Sequence, residues 1–453
     1  MYSKYLFKFI GAYIKVKKLL LAASIICLAS AGLAEENPTP VISNSDTEIK
    51  LEGFYLFENG YIKQDHLILF DKNVTDNRKK LGFYTEAAFA ATIAKTINDV
   101  IAGAKIVLQP TTRAKTSTSY NGSHIFIETS YGKVELGSPA DASAKLRITG
   151  SQVTAGTGGW SRYALLDGQY MRYNSLKSDF DTNASFYLES YSNSFDQIND
   201  KAERARRLNF FTPKMKGFQA GVSYTPDTAN TGGNRDINNL TLASSGRNGV
   251  SVSKTGIKTV KLENNETMTI NQNIRDAFSA GLTYEHEISE DADLKLSVTG
   301  EYGKPARRLI HAKMDGTTIQ VLNTYKLSNL KAYNLGAVFT YGNFSCGASY
   351  GNLGKSLTAK EYYKVGRDTY YYNGAVAYGQ GPIKTSLEYL KTSRYKNTVD
   401  AVSLATEYKI MPGLLPYAEI SHFQAKGKPV YYPEAPSKTT RGTVGLIGTK
   451  LKF

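Results

Sequence analysis

The sequence predicts an all-β protein, a transmembrane antiparallel β-barrel, on three observations. Segments of about ten residues alternate apolar and polar side chains along most of the chain. The connections between these segments are short and long in turn, which is the loop asymmetry of outer-membrane barrels. No segment after residue 34 has the apolar length of a transmembrane helix. If the chain lies in a membrane, it must therefore cross it with strands.

The first 34 residues have the order of a secretory signal peptide. Five lysines without an acidic residue accompany the beginning of the chain, and the apolar run 19–28 and the small-residue stretch 29–34 follow. The apolar run is too short to span a bilayer as a permanent helix. We therefore expect cleavage after Ala34 and a mature barrel over residues 35–453.

Charge and cysteine content exclude several classes of protein. The 55 Lys and Arg against 40 Asp and Glu give a formal net charge of +15. The basic residues are dispersed along alternating segments instead of forming a stripe, which argues against a nucleic-acid partner. Cys27 lies in the expected signal peptide, so the mature chain keeps only Cys346 and forms no internal disulfide. The five His do not pair at metal-ligand spacing, so we expect neither a metal nor a cofactor.

The alternation defines sixteen strand candidates. In the first, residues 48–61, Leu51 and Tyr55 point to one side while Lys50 and Glu52 point to the other. The remaining candidates are 79–94, 100–110, 123–130, 133–137, 206–212, 218–224, 277–287, 293–303, 330–342, 344–351, 369–379, 383–390, 401–410, 414–423 and 443–453. One more pair, 171–176 and 184–190, would raise the strand number to eighteen.

Two connections are much longer than the others. Residues 139–204 interrupt the strand pattern, and a stretch of that length inside a domain is usually functional or disordered. Residues 226–275 form a second long, polar connection, which we expect to be an external loop. Tight turns are expected at Gly342-Asn343, Gln380-Gly381 and Met411-Pro412-Gly413.

Three parts of the mature chain resemble the general porin family of Gram-negative outer membranes. The segment IFIETSYGKVELGS resembles the family's hairpin before its inward-folded third loop, and RRLNFFTPKMKGFQAGVSYTPD resembles the strands after that loop. The ending TKLKF, with Gly448, Leu451 and Phe453, is similar to the signal that barrel-insertion machinery reads. The resemblance implies a sixteen-stranded barrel in the outer membrane, usually a homotrimer, with residues 139–204 folded inward as the third loop. This chain departs from the family in the length of that loop and of 226–275.

The expected barrel width connects the fold to transport. About sixteen to eighteen strands leave a channel that side chains cannot fill. Charged residues opposite the apolar stripe should face that channel, because a cation at mid-depth in lipid costs about 2–4 kcal/mol. The sequence therefore predicts passive diffusion of ions and small hydrophilic solutes.

Members of the similar family set acids of the inward loop against bases of the wall at the narrowest point. Our candidates for such a constriction are the acids Asp141 and Asp167 and the bases Lys50, Lys80, Lys105 and Arg207. For each residue the alternative is a solvated lumen or loop charge away from the narrowest point. Lys145 and Arg147 in the same loop argue against a purely acidic loop.

Two other classes of protein remain open at this point. An enzyme or adhesin barrel could carry its activity in the surface loops 139–204 and 226–275, but hydrolases of that kind need a His in reach. His311, in the long polar connection 304–328, is the only His in the longer loops after the first, residues 64–79. A soluble periplasmic β-protein would lack the loop asymmetry. Loop lysines also make anionic lipopolysaccharide an expected partner.

Overall fold

The computed structural model of the chain describes most of the expected barrel. The residues described are 41–44, 46–65, 81–108, 120–156, 205–228, 243–245, 249–251, 257–261, 266–271, 274–305, 309–315, 318–357, 369–394, 397–427 and 437–453. Within these ranges the chain forms β-strands, one short α-helix and one 3-10 turn. No helix among them is long and apolar enough to cross a membrane.

The strands follow one another along the whole described chain. In chain order they are β1 (Val41–Asn44), β2 (Thr47–Gln64), β3 (Leu81–Ile97), β4 (Val100–Leu108), β5 (Tyr120–Thr129), β6 (Gly132–Gly137), β7 (Arg207–Phe211), β8 (Phe218–Asp227), β9 (Ala243–Ser245), β10 (Gly249–Ser251), β11 (Ile257–Lys261), β12 (Glu266–Asn271), β13 (Ile274–Ser289), β14 (Ala292–Pro305), β15 (Leu309–Asp315), β16 (Thr318–Tyr325), β17 (Leu330–Tyr341), β18 (Phe344–Gly354), β19 (Thr369–Gln380), β20 (Ile383–Arg394), β21 (Asn397–Tyr408), β22 (Leu414–Gly427) and β23 (Lys438–Lys452).

Sixteen of these strands close into one antiparallel barrel. The wall strands are β2 to β8, β13, β14 and β17 to β23, and each pairs with the next along the chain. The last, β23, returns to β2, with Phe54 opposite Lys452 and Gln64 opposite Gly442. The predicted sixteen-stranded fold is confirmed. The optional pair 171–176 and 184–190 lies outside the described residues.

The two faces of the wall differ as the alternation predicted. In β21 the side chains of Val399, Ala401 and Ser403 are buried, whereas those of Val402 and Leu404 are exposed. Exposed apolar side chains at alternate positions form the face that meets lipid in such a barrel. The register therefore assigns the opposite residues to the lumen.

Tight turns join strands on one side of the barrel. The turn Gly342-Asn343 connects β17 to β18 with Tyr341 opposite Phe344, as predicted. Gly342 has φ of 54°, and a two-residue hairpin requires that left-handed conformation. The hairpin between β5 and β6 turns at Ser130 and Tyr131, one residue earlier than the sequence pattern indicated.

The long connections contain strands that the sequence pattern did not predict. β11 and β12, from the connection after β8, pair with β15 and β16, from the connection after β14. Met268 of β12 lies opposite His311 of β15 in this four-stranded sheet. Residues 226–275 and 304–328 were both expected to be loops. The strands are short: β11 pairs with β12 and β15 pairs with β16 along the chain, and the β12–β15 pairing joins the two connections. A local pattern does not reveal that last pairing.

Candidate pore and constriction site

Residues 139–156 lie along the inner face of the barrel. They form helix α1 (Ala142–Leu146) and a 3-10 turn (Gly150–Val153). The Asp141 side chain caps α1 by accepting a hydrogen bond from the backbone N–H of Ala144 at 3.0 Å. Helix α1 contacts β8, β13 and β14, and the 3-10 turn contacts β17 to β20. This stretch, which we call the lumenal segment, therefore crosses many wall strands in succession.

Serine hydroxyls of the wall accept hydrogen bonds from the backbone of the lumenal segment. The N–H of Ala142 donates to Ser223 at 2.7 Å, and that of Ala155 donates to Ser386 at 2.8 Å. Three further pairs of this kind are Ser143 to Ser279, Ile148 to Ser297 and Gly150 to Ser349. Wall backbone groups are used in the barrel ladder, so side-chain hydroxyls are needed to satisfy a backbone buried against the wall.

Wall glycines allow this close approach. A Cβ atom added to Gly336 would overlap the carbonyl group of Ile148. A Cβ atom at Gly347 would lie 2.9 Å from Gly150 Cα, and one at Gly281 would lie 2.9 Å from Leu146 Cβ. The absence of side chains at these positions lets the backbone of the segment lie against the wall.

Two of the predicted constriction residues meet where the segment begins. The Arg207 guanidinium of β7 lies 3.3 Å from the Asp141 carboxylate, and both side chains are buried. Ser279 also donates to Asp141, at 3.1 Å. A segment acid is thus paired with a wall base, and the pair is packed between the segment and the wall.

A second charged cluster lies beside that pair. Lys145 of α1 forms a salt bridge with Glu135 of β6, and the Asn209 side-chain amide donates to the same carboxylate at 3.0 Å. Burial lowers the pKa of Lys145 below its usual value, and the hydrogen bond with Glu135 acts in the opposite direction. The sequence analysis took Lys145 as an argument against a purely acidic loop. In the structure its salt bridge with Glu135 connects the lumenal segment to the wall.

Two other predicted bases share one carboxylate. Lys50 Nζ lies 2.8 Å from one Glu52 oxygen, and Lys105 Nζ lies 2.7 Å from the other. All three side chains are partly exposed, and the strand register places them on the lumen face of β2 and β4. The predicted residues Lys80 and Asp167 lie outside the described residues.

Two glutamates that the sequence analysis did not select, Glu388 and Glu407, bind the lumenal segment near Gly156. Glu388 accepts a hydrogen bond from Ser151 at 2.7 Å. Glu407 accepts from the backbone N–H of Gly156 at 3.0 Å and pairs with Lys450 at 2.8 Å. These residues occupy the polar positions of their strands, so alternation places them on the lumen face. Their function as contacts of the segment depends on folding.

The C-terminal residues close the barrel beside the first long strand. The N–H of Gly53 donates to the Phe453 carbonyl at 2.8 Å, and the Phe453 ring packs against Gly53. Leu451 lies opposite Tyr55 and is on the exposed face. Gly448 has no side chain, which leaves space for the Tyr417 ring. The Tyr417 hydroxyl donates a hydrogen bond to the Glu58 carboxylate.

The site is suited to passage of polar solutes, because its charged and hydroxyl groups line the inner face. Among the described residues, no group of three or more His, Cys, Asp or Glu side chains could hold a metal ion. A closed barrel of this strand number, apolar outside and polar inside, is the architecture of an outer-membrane channel.

Comparison with known proteins gives the family. The family described as Gram-negative porin matches residues 21–428. The chain belongs to the Gram-negative porin family and is an outer-membrane porin. This result does not favour the enzyme or adhesin alternative.

Similar chains and folds are found in several bacteria. A protein of Rickettsia conorii is 99% identical over 97% of this chain and all of its own length, and one of Rickettsia bellii is 71% identical with the same coverage. The anion-selective porin from Comamonas acidovorans has a similar fold. Its TM-score is 0.52 at 11% sequence identity, with 90% of this chain and all of that chain covered.

Proposed function

We propose that this porin is a passive diffusion channel for ions and small hydrophilic solutes, and that residues 139–204 form its constriction. The observation that carries this proposal is the position of the lumenal segment inside the barrel. Its backbone donates to wall serines, and its buried Asp141 pairs with Arg207. A segment held in this way narrows the channel without closing it by apolar packing.

The predicted charged residues are proposed to act in two groups. Asp141 and Arg207 fix the start of the segment, because both are buried and paired. Lys50 and Lys105 have partly exposed side chains on the polar face of the wall, which supports a direct effect of their charge on passing ions. Lys80 and Asp167 are proposed to act in the same way as Lys50 and Lys105.

The finer features of assembly are part of the same proposal. Residues 1–34 act as a cleaved signal peptide, residues 35–453 form the mature protein, and 226–275 is an external loop. The mature chain forms a homotrimer after insertion by the barrel-assembly machinery, which reads Gly448, Leu451 and Phe453. Loop lysines contact lipopolysaccharide. The chain acts without a catalytic residue, metal or cofactor.

Planar-bilayer recording of the purified protein tests this function. We expect ohmic current steps that occur in groups of three equal sizes, as three parallel channels would give. The reversal potential under a salt gradient then reports the ion preference of the lumen. A correctly folded barrel that never conducts would contradict the proposal and favour a role in the surface loops.

A further inference from the structure

The two ends of the lumenal segment are bound to the wall in different ways. Near its start, charged side chains of the segment pair with the wall, as Asp141 does with Arg207. At Gly156, where the described part of the segment ends, an ion pair of the wall binds the backbone instead. This pair consists of Glu407 on β21 and Lys450 on β23. The end of the segment is therefore bound to charged groups without a charged side chain of its own.

The Glu407–Lys450 pair satisfies both backbone groups of Gly156. The Glu407 carboxylate accepts from the Gly156 N–H at 3.0 Å and lies 2.8 Å from Lys450 Nζ. The Lys450 ammonium group also donates to the Gly156 carbonyl oxygen. The two charged side chains are only 13% and 17% exposed. Hydrogen bonds to ionised groups are stronger than those between neutral groups, so the pair holds this one residue firmly.

The wall around Gly156 leaves no space for a side chain. Gly156 has φ of 65°, which is the left-handed region, and a Cβ atom there would lie 3.0 Å from Glu419 Oε2. The same atom would lie 3.2 Å from Ala405 Cβ. Lys450 Nζ lies 5.4 Å from the centre of the Tyr417 ring, a cation–π contact that helps to fix the ammonium group. Residue 156 therefore fits its position on the wall only as glycine.

The contact also has a direction. The N–H of Gly156 meets the acid and its carbonyl meets the base. If Glu407 and Lys450 exchanged places, they could still pair with each other. The N–H would then meet a cation and the carbonyl an anion, and both contacts would be repulsive. The backbone thus requires this order of charges, which an ion pair that only stabilises the wall would not need.

We propose that Glu407 and Lys450 are positioning residues of the channel. They hold residue 156 against the wall and thereby set how much of the lumen the lumenal segment occupies. They act through the segment and need not touch the solute. The inference rests on the proposed function, because it takes the segment to be what narrows the channel.

The reactivity of a buried thiol tests whether the pair holds the segment. Ala155 is fully buried next to Gly156, so Ala155→Cys in a Cys346→Ser background should react slowly with iodoacetamide. Adding Lys450→Met should speed the reaction about tenfold or more, because the loss of charge-assisted bonds favours local opening. Ala142→Cys is the matched control, since it is equally buried at the start of the segment. Its thiol should stay protected in Lys450→Met.

Single-channel recording tests the effect on the pore. Lys450→Met and Glu407→Gln should lower the mean conductance and increase the current fluctuations of the open channel, because the freed end moves into the lumen. Lys450→Arg keeps a cationic donor and should retain most of the conductance. Heat-modifiable gel migration verifies that each variant is folded.

A charge exchange separates positioning from a direct effect of charge on ions. Glu407→Lys combined with Lys450→Glu leaves the net charge of the lumen unaltered, yet its conductance should stay low. The matched exchange is Glu128→Lys with Lys133→Glu, a partly exposed pair at 3.2 Å on the polar face of β5 and β6. That variant should conduct like the unaltered protein.

The outcomes distinguish this inference from the proposed function. If Ala155→Cys stays protected in Lys450→Met and the folded Glu407–Lys450 exchange conducts normally, the positioning inference is wrong while the channel stands. If both exchanges lower the conductance equally, the position of charge matters and the inference is also wrong. If the unaltered protein never conducts, the diffusion function fails, and the thiol reaction still decides whether the pair holds the segment.

Discussion

Arg207 and Asp141 form an ion pair at 3.3 Å in which each side chain is only 3% exposed. The pair connects wall strand β7 to the residue that caps helix α1. Because Asp141 also accepts from Ala144 and Ser279, its charge is satisfied on three sides. Asp141 therefore joins the start of the lumenal segment to two wall strands, β7 through Arg207 and β13 through Ser279.

Arg207→Ala should lower the free energy of unfolding by about 3–5 kcal/mol, because it removes the guanidinium that compensates the buried Asp141 charge. Lys304→Ala is the control. It breaks a pair with Asp276 whose side chains are about half exposed, and it should cost at most about 1 kcal/mol. Denaturant titration in detergent micelles measures both. Equal losses of unfolding free energy in the two variants would show that the buried pair stabilises the fold no more than an exposed pair does.

Gly336→Ala should push the lumenal segment away from the wall, because the added methyl group overlaps the Ile148 carbonyl. We expect a loss of about 1–3 kcal/mol in unfolding free energy and a lower single-channel conductance, as the segment moves toward the pore axis. Gly445→Ala is the matched control, since nothing lies within 4 Å of a Cβ atom there. An unaltered conductance in Gly336→Ala would place the segment away from the narrowest point.

Lys105→Glu should shift the reversal potential under a salt gradient toward cations. The change replaces a lumen-facing cation by an anion beside Glu52, and fixed lumen charge controls ion preference. Lys216→Glu, in an exposed turn, introduces the same charge change outside the lumen and should have a smaller effect. If Lys105→Glu has no effect on selectivity, Lys105 does not belong to the constriction.

Phe453→Ala should reduce the amount of folded barrel in the outer membrane several-fold. The substitution removes the ring that packs on Gly53 and the aromatic group of the proposed insertion signal. Phe344→Ala removes another exposed aromatic ring next to a tight turn and should leave assembly close to normal. The heat-modifiable fraction on gels measures assembly. Normal amounts of folded Phe453→Ala protein would show that Phe453 is not part of the insertion signal.

The sequence predicted the wall strands and the face of most charged wall residues. Lys50, Glu52 and Lys105 were assigned to the polar face from alternation, and the strand register places them there. A strand has a period of two, so its apolar positions determine both faces at once. The strands β11, β12, β15 and β16 were missed, and the sheet that they form depends on the pairing of β12 with β15 from another connection.

Only part of the candidate site could be predicted from the sequence. Asp141 and Arg207 were selected as opposite charges of loop and wall, but nothing local indicated that they would pair with each other. Gly336 and Ser297 were not selected at all: a glycine inside a strand can mark the close approach of another backbone, but it does not indicate which backbone. Their importance comes from Ile148, which lies far away in the sequence and contacts both.

The sequence by itself determined the barrel and its two faces, because these follow from short-range alternation and turn residues, and it left sixteen or eighteen strands open. Only the tertiary structure decided the course of the lumenal segment and the partners of its charges. Those features depend on tertiary contacts, most of them between distant residues: Asp141 and Arg207 are 66 positions apart, and Ile148 and Ser297 are 149 positions apart. Such contacts exist only after the wall has closed, so no local pattern records them.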